Sequence, residues 1–267
     1  MTAPKTIAIH SYKGGTGKTT LITNLAAQFA NEGLKVGLID FDLYAPSLSI
    51  YFNKNPPMYI NDLLSGDADL SDILLDLSPE LNLDGEFWVG FANPRKEAIQ
   101  EIDTRHDLKW QLQALRRFLA AKKALFKNYE LDYLFLDTSP GIREWSINTL
   151  ATADILLLLM KDSDMDIEGT RKMINDIYDS LSRFGSKYYI LLNKIPGGMM
   201  TNKILELNKK EWVKQIERII GAQVVGTIPC FCDIQFSRHE YLFSVRKPDH
   251  PFSKYLSIAS EKIKNLT

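Results

Sequence analysis

Cysteine is nearly missing from this chain, which has only Cys230 and Cys232 among 267 residues. Two cysteines separated by one residue cannot build a disulfide framework, which excludes the small cross-linked secreted class. Long apolar runs are missing as well; none nears the ~20 residues that a membrane-spanning helix needs. The stretch from Met1 to Lys5 holds no signal-peptide core, so the expected compartment is the cytoplasm. Nor is one sign of charge in excess: 32 Lys and Arg stand against 33 Asp and Glu, a net charge of −1. That balance does not indicate a domain built mainly as a nucleic-acid surface, and leaves DNA binding to a local basic patch. Linkers and charged tails are lacking too. What remains is 45 % apolar and 24 % charged, the composition of an ordinary globular protein, long enough to bury a substantial core. Residues 1–267 read as one α/β domain.

The most informative stretch is Ser11-Tyr12-Lys13-Gly14-Gly15-Thr16-Gly17-Lys18-Thr19-Thr20. An apolar run, Thr6 to His10, precedes it, and Leu21, Leu25, Ala26 and Phe29 follow at helical spacing, giving strand, loop, helix. Glycines at 14, 15 and 17 let successive N–H groups turn around a phosphate, and the helix start adds its positive end. Gly14, Gly15, Thr16, Gly17, Lys18, Thr19 and Thr20 are therefore the expected phosphate-binding residues. Lys18 is placed to reach the β- and γ-phosphates, and the Thr19 hydroxyl to ligate Mg2+, a hard cation that takes oxygen donors. A glycine turn that merely precedes a helix explains neither the lysine nor the threonine. The general P-loop spacing nonetheless fails by one residue, because Tyr12 stands where its first glycine belongs.

Carboxylates follow at the ends of apolar runs. Lys35 to Ile39 reads as a buried strand that ends in Asp40-Phe41-Asp42, where open α/β sheets place their chemistry. Leu131 to Asp137 is a second such strand, and Asp137 with Thr138-Ser139-Pro140-Gly141 occupies the position that holds Mg2+ in phosphate-transferring enzymes. Capping of a short helix is the plainer reading of Asp40 and Asp42, and the glycine-rich loop upstream weighs against it. Further strands are expected at 86–91, 153–160, 187–192 and 224–229, and a pair of short helices over 59–77. Apolar residues at 99, 102, 108, 112, 115, 118, 119 and 125 predict one long or broken helix whose Arg116, Arg117, Lys122, Lys123 and Lys127 form a solvated face. The fold class expected is a doubly wound, mostly parallel twisted sheet flanked by helices.

Asn193-Lys194-Ile195-Pro196 resembles the guanine-reading motif of GTPases, but Pro196 stands in place of its carboxylate. Nothing there can accept the guanine N1–H and exocyclic amine together, so adenine is favoured.

Lys13 ahead of Gly14 makes the loop Lys-Gly-Gly-Thr-Gly-Lys-Thr, which resembles the deviant Walker A loop of the MinD/ParA branch of P-loop ATPases. Asp40-x-Asp42 and Asp137-Thr-Ser-Pro-Gly are similar to that branch's other motifs, and the likeness extends over nearly the whole chain. It implies an Mg2+-dependent ATPase acting as an ATP-switched homodimer, with Lys13 crossing to the partner's nucleotide and Asp42 positioning the attacking water. It also implies that Gly141 senses the γ-phosphate, that Asn193 contacts the base, and that Pro229 and Cys230 open the loop flanking adenine. A regulator or spatial organiser with a protein partner is the implied output. The alternative is a metal or iron-sulfur carrier of the Mrp kind using Cys230 and Cys232, although their spacing is not the Cys-x-x-Cys of that family. The helical pattern near the end stops at Leu266 without a basic, Phe/Leu-rich extension, so a membrane anchor of the MinD type is not expected.

Overall fold

The computed structural model describes residues 3–104, 107–183, 185–196, 203–237 and 242–266, and the side chains of 203–209 lie outside that set. Ile204 and Leu207 of the predicted amphipathic run therefore fall outside the described side chains.

The chain opens with β1 (Lys5–His10), α1 (Lys18–Asn31) and β2 (Lys35–Phe41). Short elements follow: α2 (Leu48–Tyr51), α3 (Ile60–Ser65), α4 (Leu70–Ile73), β3 (Leu74–Asp76) and α5 (Ser78–Leu81). Next come β4 (Glu86–Gly90), α6 (Lys96–Thr104), α7 (Leu108–Asn128), β5 (Tyr133–Thr138), α8 (Glu144–Leu150) and β6 (Ile155–Met160). After α9 (Asp164–Met173), a π-helical turn (Ile174–Tyr178) runs into α10 (Asp179–Ser182) and β7 (Lys187–Ile195). The chain continues through α11 (Lys203–Ile220), β8 (Val224–Pro229), α12 (Cys232–Gln235), α13 (Phe243–Arg246) and α14 (Pro251–Lys264).

The eight strands form one sheet in the order β3-β4-β2-β5-β1-β6-β7-β8. Every neighbouring pair is parallel except β3 with β4. Strand side chains alternate between faces, and the central strands are apolar on both. Ala8, Leu134, Leu136, Leu156 and Leu158 pack with α3, α7, α8 and α9 on one face. Ile7, Ile9, Phe135, Ile155 and Leu157 pack with α1, α13 and α14 on the other. Aromatic anchors weight each layer: Phe41 meets Phe118 edge-on at 4.5 Å, and Phe29 meets Tyr133 at 4.8 Å. Each such buried ring contributes about 1.5–3 kcal/mol over an exposed one.

Two details depart from the sequence pattern. Leu74, expected to close the second short helix, begins β3 instead and pairs with Gly90, where the missing side chain leaves room for Ile39 of β2. The long helical run is broken into α6 and α7, and α7 turns Gln111, Ala114, Phe118, Ala121 and Leu125 inward rather than Leu108, Leu112 and Leu119. Its basic stretch is split as well. Arg117 donates to the Leu64 carbonyl at 2.8 Å and Lys122 to that of Thr152, so these two serve the fold rather than a solvated face.

Candidate nucleotide site

Because the strands are parallel, β1, β2, β5, β7 and β8 all end on one edge of the sheet. Register then fixes which ends meet. Asp40 lies directly across from Asp137, and Ile9 from the same Asp137 on its other side. The glycine-rich loop leaves β1 beside Asp137 and enters α1 through Gly17, which has φ of 96°. That left-handed conformation suits glycine, and a β-carbon there would lie 2.7 Å from the Asn193 amide nitrogen. No side chain caps α1, so its first-turn N–H groups stay open to an anion.

The loop's carbonyls are held by side chains. Lys194 Nζ donates to the Gly15 carbonyl at 3.1 Å, Asn193 Nδ2 to that of Thr16 at 2.7 Å, and Ser11 Oγ to that of Lys13 at 2.6 Å. A trans peptide points its N–H opposite its C=O. The N–H groups of Gly14, Thr16 and Gly17 therefore face the other way, and none of them donates to another backbone group. Lys194 reaches its partner from a left-handed backbone of its own, φ 56°.

Lys18 is buried, and its Nζ rests on Ser11 Oγ at 3.2 Å. Burial pulls its pKa down, against the attraction of Asp137 and Asp42. Asp40 is fully buried and accepts N–H bonds from Asp42 at 3.0 Å, Ser47 at 3.3 Å and Leu48 at 3.2 Å. Its pKa is nonetheless raised, first by burial and then by the charges of Asp137 and Asp42. Burial also pushes Asp137 up to about 7. The Thr19 hydroxyl and Lys18 offset this in part, yet neither Asp137 oxygen completes a hydrogen bond. A buried carboxylate with two orphaned oxygens, facing a threonine hydroxyl and beside a second buried carboxylate, fits a hard divalent cation. Thr19 and Asp137, with Asp40 behind them, would hold Mg2+.

Asp42 is fixed rather than free. It receives Ser139 Oγ at 2.5 Å and the Ala45 N–H at 3.0 Å on the same oxygen. Gly141, expected to offer its N–H to phosphate, donates instead to the Ser11 carbonyl at 2.9 Å, so the loop after β5 is latched to the glycine-rich loop. Lys13 lies apart from this group. Its Nζ contacts Met165 Sδ at 3.0 Å at the exposed head of α9, and the neighbouring Tyr12 ring sits where any side chain on Gly169 would be, 2.1 Å from its ideal β-carbon.

Beyond the phosphate end, a cleft of about 200 Å³ is lined by Thr20, Tyr51, Asn193, Pro229, Cys230 and Phe231, among others. The Thr20 and Tyr51 hydroxyls are bonded to each other. Asn193 lines the cleft while its amide nitrogen serves Thr16, so it also braces the loop. Phe231 is wedged against His250 at 5.4 Å. His250 Nε2 bonds Asp233 at 2.7 Å, while its Nδ1 accepts the Phe252 N–H at the start of α14. Cys230 and Cys232 are exposed thiols, and among the described residues no cluster of three or more metal-ligating side chains occurs.

Sequence reading missed four contributors: Lys194, Tyr51, His10 and the Tyr12–Gly169 seat. His10 is buried at the end of β1 and bonds Thr138 Oγ1 at 2.9 Å, and burial and Lys18 together lower its pKa to about 3. It is a neutral brace for the strand that carries Asp137. A signal for the Tyr12 seat was present, since a glycine inside the helical pattern at 169 costs about 1 kcal/mol relative to alanine.

A family model described as an AAA domain matches residues 4–187. An uncharacterized ATP-binding protein of Methanocaldococcus jannaschii is 27 % identical over 84 % of this chain and 73 % of its own length. The sporulation initiation inhibitor protein Soj of Bacillus subtilis is 30 % identical over 65 % of this chain and 64 % of that one. The cell division ATPase MinD of Pyrococcus furiosus superposes with a TM-score of 0.75, covering 98 % of this chain and 99 % of that one at 21 % identity. With the matched domain spanning well over half its residues and the deviant loop in place between β1 and α1, the chain belongs to the MinD/ParA-type family of P-loop ATPases.

Proposed function

We propose that this protein hydrolyses ATP to ADP and phosphate as a nucleotide-switched homodimer, and that the lifetime of its ATP state regulates or positions a partner protein. The observation that carries this reading is the contrast between two lysines of one loop. Lys18 is buried and drawn by Asp137 and Asp42, whereas Lys13 extends across an exposed face to Met165. Lys18 neutralises the phosphate oxygens of its own nucleotide, and Lys13 is free to serve a nucleotide in a facing copy. Asp42, held by Ser139 and the Ala45 amide, orients the attacking water. Mg2+, held by Thr19 and Asp137, would draw charge from the phosphates. Asn193, Pro229 and Cys230 enclose adenine in this reading. Catalysis of this kind is chiefly positioning and charge stabilisation, and it suits a slow timer.

Sedimentation with ATP and Mg2+ tests it on one scale. Asp42→Ala should bind ATP and accumulate as a dimer without turnover. Lys13→Ala should bind ATP as a monomer, and the double variant should follow Lys13→Ala. A Lys13→Ala protein that dimerises and hydrolyses like the wild type removes the homodimer reading.

A further inference from the structure

Helix α7 carries an apolar seam that the fold leaves uncovered. Leu108, Leu112 and Leu119 are 67 %, 47 % and 45 % exposed, and the half-buried Leu115 completes a 4-3-4 spacing. That spacing is the heptad seam of paired helices. Lys109, Arg116 and Lys123 recur every seven residues along one border of the seam, all exposed. The opposite border is Gln111, Phe118 and Leu125, which are buried in the core. No acidic residue occurs anywhere in α7. The seam thus has a cationic line on its single open side. Its first turn also sits beside the segment that follows Gly141, through Trp110 against Trp145 at 5.5 Å.

We propose that this seam docks one amphipathic helix of a partner protein, whose apolar stripe covers the four leucines and whose acidic residues, at seven-residue spacing, face Lys109, Arg116 and Lys123. Charge complementarity selects this occupant. A second copy of α7 related by a two-fold axis would set one cationic line against another, and like charges at such positions oppose pairing. An acidic helix gains an ion pair in each heptad and buries leucine surface that otherwise stays wet.

The probe is a fluorescein-labelled peptide of about 28 residues with leucine at the seam positions and glutamate at the flanking ones, compared with its lysine counterpart. Anisotropy titration should show saturable binding of the glutamate peptide and at least about tenfold weaker binding of the lysine peptide. Leu112→Asp with Leu119→Asp should weaken binding by more than about tenfold, and Leu112→Gln with Leu119→Gln should do the same if the aspartates disturb folding. Unchanged ATP affinity and melting temperature identify a folded variant. Lys109→Glu, Arg116→Glu and Lys123→Glu together should transfer the preference to the lysine peptide. Absence of saturable binding, equal binding of both peptides, or binding insensitive to the leucine changes overturns the proposal. So does leucine-dependent self-association in sedimentation, or leucine-dependent pelleting with phosphatidylglycerol vesicles.

Discussion

The two ends of the proposed site, for phosphate and for base, are built on opposite plans. At the phosphate end one contiguous loop, Ser11 to Thr20, supplies the amides, the lysine and the threonine, and strand register delivers Asp40 and Asp137 face to face. Lys18, Asp40 and Asp137 are buried there, and burial lowers the pKa of the first and raises those of the other two. At the base end the lining comes from α1, α2, β7, β8, α12 and α14 and the segments between them, and it mixes rings and aliphatic groups with hydroxyls, amides, a lysine and an exposed thiol. The lesson is that the first end is specified by chain connectivity and the second by assembly of the whole sheet. Damage at the phosphate end should therefore remove binding outright, whereas damage at the base end should only retune it.

The largest effect that tests this contrast is Lys18→Ala. It deletes the buried cation that Asp137 and Asp42 attract and should cost ATP and ADP at least about a hundredfold in affinity, roughly 3 kcal/mol, with no measurable hydrolysis. Calorimetric titration reads it, and unchanged affinity would put the phosphates elsewhere.

Next comes pH. Asp137 holds its proton up to about 7, against an ordinary value of 3.8, and Mg2+ takes the ionised form. Mg2+ affinity in the presence of ADP should thus fall by about tenfold per unit as pH drops below 7, roughly a hundredfold from pH 7 to 5. For the nucleotide-free protein the sign is opposite. Between 3.8 and about 7 the folded state binds more protons than the unfolded one, so stability declines as pH rises through that window. Asp137→Asn should flatten this slope in urea melts, and a slope that persists would assign it to another group.

Gly17→Ala strikes the joint between the two ends. The added methyl meets both a φ of 96° and the Asn193 amide, and should cost about 2 kcal/mol, a nucleotide affinity loss of about thirtyfold. Asn193→Ala on the same background should restore part of it, and failure to do so would mean that backbone strain dominates.

The smallest effect belongs to the base end alone. ATP should be preferred to GTP by about tenfold or more, about 1.4 kcal/mol, because Pro196 offers guanine no carboxylate. Competition between the two nucleotides reads it directly, and equal affinity would overturn the adenine assignment.

How much could be read beforehand follows the same division. The loop, the strand-terminal Asp40, Asp42 and Asp137, and the parallel sheet were legible because each rests on local spacing and on apolar runs buried on both faces. Asn193, Pro229 and Cys230 entered only through family resemblance, and the structure gathers all three around the cleft. Lys194 was passed over because its role depends on a left-handed backbone that no propensity announces. Tyr51 was hidden in a four-residue helix too short to carry a period. In α7 the helical period was correct but the inward stripe was misjudged, since two stripes satisfy it. The one with Ala114, Ala121 and Phe118 is the buried one, with Phe118 edge-on against Phe41 of β2.

The three carbonyl clamps on the glycine-rich loop have a thermodynamic consequence. Ordering a free residue costs about 1–2 kcal/mol of backbone entropy, and a loop rich in glycine has the most to lose. Lys194, Asn193 and Ser11 impose that loss when the sheet forms, before any phosphate arrives. Nucleotide association then meets a preorganised receptor and carries little of that entropic penalty. Severing one clamp should leave the phosphate contacts intact while making binding more exothermic, less favourable in entropy and weaker.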